Sequence, residues 1–209
     1  MKLTRDIFIL ALASVLGVGL SAPLMAQDTD TDGDGVPDTA EVLLGTDPAA
    51  ADTDGDGQND LADAEATFAP NPIAATGADA PFAIKEALVE DNYDPAATAD
   101  APDHLELLVT NPGAAPLTGW QIYYSITDND TGKVEATYRA LDGFEVPAGG
   151  EARLHFDDGK IAGHFRANPN GIYTSSQAAK TFSVTLAAAG FTPLTVEIAK
   201  DAGGAEEAD

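Results

Sequence analysis

Between Asp28 and Glu65 the chain carries 13 carboxylates and no Lys or Arg. A stretch this acidic repels itself and cannot pack unless something cationic neutralises it, so the spacing of its acids decides what it can become. From Asp30, the segment Asp30-Thr31-Asp32-Gly33-Asp34-Gly35-Val36-Pro37-Asp38-Thr39-Ala40-Glu41 places carboxylates at loop positions one, three, five, nine and twelve, with glycine at six. That is the calcium-loop pattern: a hard cation takes about six to eight oxygens, alternate residues of a turning backbone point inward, and the glycine permits the sharp turn. In this frame Val36 supplies its backbone carbonyl, Asp38 ligates directly or through water, and Glu41 supplies two oxygens. A frame begun at Asp28 would put Val36 at position nine and Thr39 at twelve, so the Asp30 frame is preferred. The pattern returns 22 residues later with Asp52, Asp54, Asp56, Gln58, Asp60 and Asp63 at the corresponding positions. Two Ca2+ ions are therefore expected. The shorter Asp63 at position twelve predicts a second site that is weaker or tolerates Mg2+ better.

Both loops run into helix signals, Glu41–Leu44 ending at Gly45 and the Ala-rich stretch Leu61 to Phe68 stopping before Pro70. Neither has room for a helix ahead of it, and Pro37 lacks the N–H that paired helix–loop–helix units use to bridge their loops. A sensor that opens on binding calcium is not expected. The segment Asp52-Thr-Asp-Gly-Asp-Gly, with Val36-Pro-Asp-x-x-Glu followed by Gly45-Thr-Asp-Pro, resembles bacterial thrombospondin type 3 repeats and, more distantly, dockerin calcium loops. The resemblance covers residues 28–66. It implies calcium-filled loops in a compact, rigid, exported segment, often a spacer beside another domain, and it supports the ligands named above. Asp63 departs from the expected Glu, and there is no third repeat. Asp47 reads as a turn residue before Pro48, with an extra ligand role as the alternative.

The charge balance excludes other classes. Ten Lys and Arg against 35 Asp and Glu give a net charge of −25, whereas binding nucleic acid depends on basic groups that displace counterions from phosphates. With no cysteine in the chain, disulfide scaffolds, zinc-thiolate sites and cysteine nucleophiles are absent. Ahead of the acidic stretch, Lys2 and Arg5 precede an apolar run from Ile7 to Leu20, followed by small residues up to Ala26. This is the pattern of a secretory signal peptide (residues 1–26) cleaved after Ala26, since a membrane span needs roughly 20 apolar residues; an uncleaved anchor is the alternative. The mature protein is expected in the periplasm or outside the cell, with no membrane insertion.

After the acidic segment (27–68), residues 69–81 contain three prolines and read as a linker. From there to residue 200 the pattern switches to period two: Leu105/Leu107/Val109, Trp120/Ile122/Tyr124/Ile126, Val134/Ala136/Tyr138, Ala152/Leu154/Phe156, Phe182/Val184/Leu186 and Leu194/Val196/Ile198 each alternate with polar or small residues. With Phe82–Val89 and Phe144–Val146 as shorter strands and turn chemistry between them, this predicts a mainly β fold, an antiparallel β-sandwich of immunoglobulin-like type. Val109-Thr-Asn-Pro-Gly-Ala-Ala-Pro-Leu-Thr-Gly-Trp120 looks like the strand–turn–strand of some cellulose-binding modules. Trp120 is nonetheless expected in the core, leaving Tyr123 on the opposite face as the candidate surface aromatic. His104, His155 and His164 show no metal-ligand spacing and read as surface or turn residues. The acidic clusters Glu90–Asp94 and Asp128/Asp130 are explained by turn chemistry, and residues 201–209 by a frayed tail. No paired-carboxylate cleft or nucleophile constellation is recognisable. The expectation is an exported, non-enzymatic calcium-binding protein, its sandwich meeting another extracellular protein or a glycan. A carbohydrate-binding module with structural calcium is the alternative.

Overall fold

The computed structural model describes residues 28–94 and 97–203; the expected signal segment and residues 204–209 of the expected tail lie outside them. In chain order the elements are α1 (Asp38–Leu44), β1 (Ala83–Leu88), β2 (Tyr93–Asp94), β3 (Ala99–Asp100), β4 (Leu105–Asn111), β5 (Gln121–Asp128), β6 (Val134–Ala140), β7 (Gly150–Asp157), β8 (His164–Arg166), α2 (Ile172–Ser175), β9 (Lys180–Ala187) and β10 (Leu194–Lys200). Two four-stranded sheets, ordered β1-β4-β7-β8 and β10-β9-β5-β6, enclose one core, and β2 pairs with β3 in a small ribbon. The mainly β sandwich expected from the period-two segments is present. Every pairing in the two sheets is antiparallel except β7 with β8.

Alternation places the core. Leu105, Leu107 and Val109 of β4 face Ile122, Tyr124 and Ile126 of β5 across the sandwich, with Phe182, Val184 and Leu186 beside the latter. Trp120 is buried as expected, Phe82 and Phe144 meeting its ring edge-on at centroid distances of 4.8 and 5.8 Å. Its indole N–H donates to the Leu117 carbonyl at 2.9 Å, which satisfies the polar atom such a burial would otherwise strand.

Strand β6 departs from the expected phase. Residues directly opposite in an antiparallel pair share a face, and β6 sets Arg139, Thr137 and Glu135 opposite Ile122, Tyr124 and Ile126. The inward set is therefore Glu135/Thr137/Arg139, not Val134/Ala136/Tyr138; a shift of one residue exchanges the two faces. The reason is its edge position. Glu135 accepts from the Ile172 N–H at 2.7 Å, and Arg139 donates to the Arg166 carbonyl at 2.7 Å, so the inward polar groups are satisfied by the first residue of α2 and the last residue of β8. Ala136 is buried from outside instead, by residues 67–69 of the preceding segment.

Those residues bring a second correction. Leu61–Phe68 forms turns rather than a helix, because the chain here is drawn into pairing with β6: Ala136 N–H donates to the Thr67 carbonyl and Ala69 N–H to the Ala136 carbonyl, both at 2.9 Å. Further along the same edge, Tyr138 N–H donates to the Asp54 carbonyl at 2.7 Å. The region read as a linker lies along the sandwich too, held by the Tyr123 hydroxyl donating to the Ala69 carbonyl at 3.2 Å and by Ala78 hydrogen-bonded to Gly190 and Thr192 at 3.0 and 2.8 Å. Tyr123 is consequently half-buried under the segment and is not a free surface aromatic. The start of the expected tail is also tied down, Asp201 N–H donating to Glu90 at 3.3 Å and Gly203 N–H to the Gln177 carbonyl at 3.1 Å.

Gly55 makes the close approach to β6 possible. At φ +79° it adopts a left-handed conformation, and a Cβ there would lie 2.0 Å from the Tyr138 carbonyl oxygen. Gly57, at φ +97°, has no such neighbour within 4 Å. Gly57→Ala should cost only backbone strain of about 1 kcal/mol, whereas Gly55→Ala should cost at least about 2–3 kcal/mol and release the segment from β6. Denaturation in calcium, with limited proteolysis of residues 45–70, measures both.

Candidate metal centres

The two acidic loops are one structure made twice. In the first, both oxygens of Asp30 accept backbone N–H groups, from Gly33 at 2.9 Å and Gly35 at 3.2 Å; in the second, Asp52 accepts from Gly55 at 2.8 Å and Gly57 at 2.9 Å. At the third and fifth positions, Asp32 and Asp34 each accept with one oxygen the N–H two residues on, and Asp54 and Asp56 do the same. The loop is closed by position nine. Asp38 N–H donates to the Thr29 carbonyl at 2.8 Å and Asp60 N–H to the Ala51 carbonyl at 3.0 Å. These geometries follow from the sequence locally, since Asp bonds forward to its own turn and glycine tolerates positive φ.

This wiring draws ligand oxygens together. Among the described residues, Asp30, Asp32 and Asp34 offer oxygens within 4.8 Å of one another, and so do Asp52, Asp54 and Asp56. Glu41, fully buried on α1, is near enough to feel the Asp32 and Asp34 charges. Helix α1 supports it, ending where Gly45 at φ 84° donates to the Glu41 carbonyl at 2.7 Å. Four buried side-chain oxygens in the described residues have no hydrogen-bond partner: Oδ2 of Asp32, Oδ2 of Asp34, Oε2 of Glu41 and Oδ2 of Asp54. Buried carboxylate oxygens without donors are strongly unfavourable, and all four belong to the expected ligand sets. An oxygen-seeking divalent cation fits such a site, and among the described residues no donor reaches these oxygens.

The remaining expected ligands take distinct positions. Both oxygens of Asp38 accept from Thr31, N–H at 2.8 Å and hydroxyl at 2.7 Å, and Asp60 binds Thr53 at the same two distances. Position nine thus braces position two across each loop. The side chain of Gln58 donates to Asp56 at 3.0 Å, so at position seven, as at Val36, the atom expected to ligate is the backbone carbonyl. Asp63 accepts the Glu65 N–H at 2.9 Å while its charge acts on Asp54. The loops touch each other, Asn59 donating to the Asp34 carbonyl at 2.9 Å.

Burial pushes the Glu41 carboxyl up to about 7, the charges of Asp32 and Asp34 adding to the effect. Asp54 is raised to about 6, again chiefly by burial. Burial likewise raises Asp32 and Asp60.

Sequence reasoning did not find the groups that hold this segment to the sandwich. Asp47 is the turn residue expected, accepting the Ala49 N–H at 3.1 Å, but its carboxylate also receives Arg166 in a bidentate pair, Nε and a terminal nitrogen each approaching to 2.7 Å. Asn168 donates to the Gly45 carbonyl at 2.6 Å and Asn170 to the Thr46 carbonyl at 2.7 Å. Asn168-Pro-Asn-Gly is a turn sequence by its residue types, but its partners lie over 120 positions earlier, where no local pattern points to them. The histidines are a correction of the same kind: His104 and His155, read as unrelated surface residues, lie 2.9 Å apart, and His155 stacks on His164.

Residues 30–51 match the family model of the bacterial TSP3 repeat. The match ends one residue before Asp52, where the second loop begins. No curated protein matches the chain. No helix among the described residues is long and apolar enough to cross a membrane.

The raised carboxylates give the metal-free protein a pH dependence of definite sign. Below the ordinary value of 4.5, Glu41 is protonated in both folded and unfolded chains and costs nothing; between there and about 7 only the unfolded chain ionises. Stability contributed this way is present at low pH and lost as pH rises through about 7 for Glu41 and about 6 for Asp54. In chelator, the thermal midpoint should fall between about pH 5 and 7.5, and saturating calcium should abolish or reverse that fall.

Proposed function

We propose that this is an exported, non-enzymatic calcium-binding protein in which two metal-filled loops lock residues 28–68 onto a β-sandwich and so present one rigid surface to a partner outside the cytoplasm. The observation that carries the reading is the set of four buried, donorless carboxylate oxygens, distributed over both loops. Asp30, Asp32, Asp34, the Val36 carbonyl and Glu41 hold the first ion. Asp52, Asp54, Asp56, the Gln58 carbonyl and Asp63 hold the second, while Asp38 and Asp60 brace their loops. The second ion is held more weakly, since the Asp63 side chain is shorter and only one of the four donorless oxygens belongs to its loop.

The metal acts beyond its ligands because the second loop is part of the sheet edge. Asp54 binds the ion through its carboxylate and β6 through its carbonyl. The relay Arg166–Asp47–Thr53–Asp60 joins β8 to the same loop, with the Thr53 hydroxyl accepting from Asp47 N–H at 2.8 Å and donating to Asp60 at 2.7 Å. Without calcium the carboxylates repel and the segment lifts, baring the backbone of an edge strand, which is prone to pair with other chains. The reading favours a protein partner over a glycan. Tyr123 and Tyr173 spend their hydroxyls on the Ala69 and Val89 carbonyls and form no open aromatic platform, whereas Val42, Leu43 and Leu44 beside the first loop are solvent-exposed.

Calorimetric titration should show two calcium ions bound, with affinities of order 10⁻⁴ to 10⁻³ M as for extracellular modules. Asp30→Ala and Asp52→Ala should each remove one ion; no heat at millimolar calcium, or two ions retained by both variants, would overturn the reading. Arg166→Ala should leave the first ion bound but destabilise the docked segment by about 2–3 kcal/mol, because it strands the Asp47 carboxylate, whose side chain is only 3% exposed. Protease sensitivity in calcium reads that effect.

A further inference from the structure

A second cluster of ligand-type side chains lies on the outer face of the other sheet, away from the acidic loops. Glu106 on β4 and His155 on β7 are directly opposite in register, and His104 enters from the residue before β4. Three ligand atoms converge: His104 Nε2 and His155 Nδ1 are 2.9 Å apart, His155 Nδ1 and Glu106 Oε2 3.4 Å, and His104 Nε2 and Glu106 Oε2 3.9 Å. A tetrahedral metal bonded at about 2.0–2.1 Å sets its ligand atoms about 3.4 Å apart, which is the middle of this range. Two imidazole nitrogens with one carboxylate oxygen suit a first-row transition ion such as Zn2+ and not the hard, oxygen-seeking cation of the loops.

The surrounding groups orient these atoms as the outer contacts of metal ligands do. His104 Nδ1 lies 2.7 Å from the Pro102 carbonyl, which can only accept, so the ring carries its proton there and, when neutral, presents a bare lone pair at Nε2. Arg153 binds Glu106 through Oε1, leaving Oε2 turned to the histidines. Buried Asn92 accepts the His104 backbone N–H at 3.0 Å and brings its amide nitrogen within 3.4 Å of both His104 Nε2 and Glu106 Oε2. The His155 ring is stacked on His164 at 4.2 Å with planes 5° apart, and His164 is held by Asp157 at 2.5 Å.

We propose that His104 Nε2, His155 Nδ1 and Glu106 Oε2 form a three-ligand site for Zn2+ or a similar transition ion, with its fourth position open to water. In the metal-free form His155 Nδ1–H donates to His104 Nε2; loading the site moves that proton to His155 Nε2 and leaves the ring neutral.

The test is titration of the protein with Zn2+, and with Co2+ as a spectroscopic probe, at about pH 7.5 and saturating calcium so that the acidic loops are filled. One equivalent should bind, with a visible Co2+ ligand-field band and a change of His155 tautomer in nitrogen NMR. His104→Ala and His155→Ala should each weaken Zn2+ binding by at least about 100-fold, while His164→Phe, which keeps a ring to stack, should change it only a few-fold. Zn2+ affinity unchanged in the two alanine variants, or no tautomer change in the parent protein, would overturn the proposal. The NMR readout decides the matter even if an alanine variant fails to fold.

Discussion

Buried negative charge needs positive charge, and the rest of this molecule is arranged around that requirement. Thirteen carboxylates in the stretch from Asp28 to Glu65, with no basic residue among them, could remain in water as a loose chain. Instead Glu41, Asp34 and Asp54 are taken out of solvent. Each keeps an inward oxygen without a donor, a state whose cost shows in the upward displacement of Glu41 to about 7 by burial. Protein groups answer only part of the need: backbone N–H groups hold the outer oxygens, Thr31 and Thr53 hold position nine, and Arg166 reaches Asp47. What is left unanswered is shaped for a divalent cation.

The geometry of the loops also explains why they are not an independent spacer. The segment ends by adding its backbone to an edge strand, and β6 is tuned for that. Its inward face is polar because backbone groups at the end of β8 and the start of α2 lie against it and pair with Arg139 and Glu135, and its outward Ala136 is small enough for residues 67–69 to lie against it. Gly55 is constrained twice, by the turn that wraps a ligand and by the Tyr138 carbonyl against which it packs. One residue thereby ties loop conformation to sheet pairing.

The two kinds of candidate metal site differ as their chemistry requires. The acidic loops are local, each built within about a dozen consecutive residues whose turn bonds position the ligands. The histidine site is non-local: its ligands come from β4, the residue before it and β7, brought into register by the sheet, and the ring orientations are set by contacts from β8 and from the loop carrying Asn92.

That contrast divides what the sequence determined from what only the tertiary structure decided. The Asp-Gly spacing, repeated after 22 residues, specified loop geometry, the carboxylates that each loop draws together and the C-terminus of α1 at Gly45, because all of these depend on bonds between residues fewer than a dozen apart. Strict alternation likewise placed β4, β5, β7 and β9 and the burial of Trp120, since a core strand has both neighbours and one apolar face. It failed at β6 and at Leu61–Phe68, where pairing between the segment and the sheet edge overrides local pattern, and at the histidines. His104 and Glu106 do stand two apart, the spacing that puts strand residues on one face, but the ligand that completes them is 51 positions away from His104. Proximity of that kind is set by strand order and register, and no periodicity within a single segment encodes it.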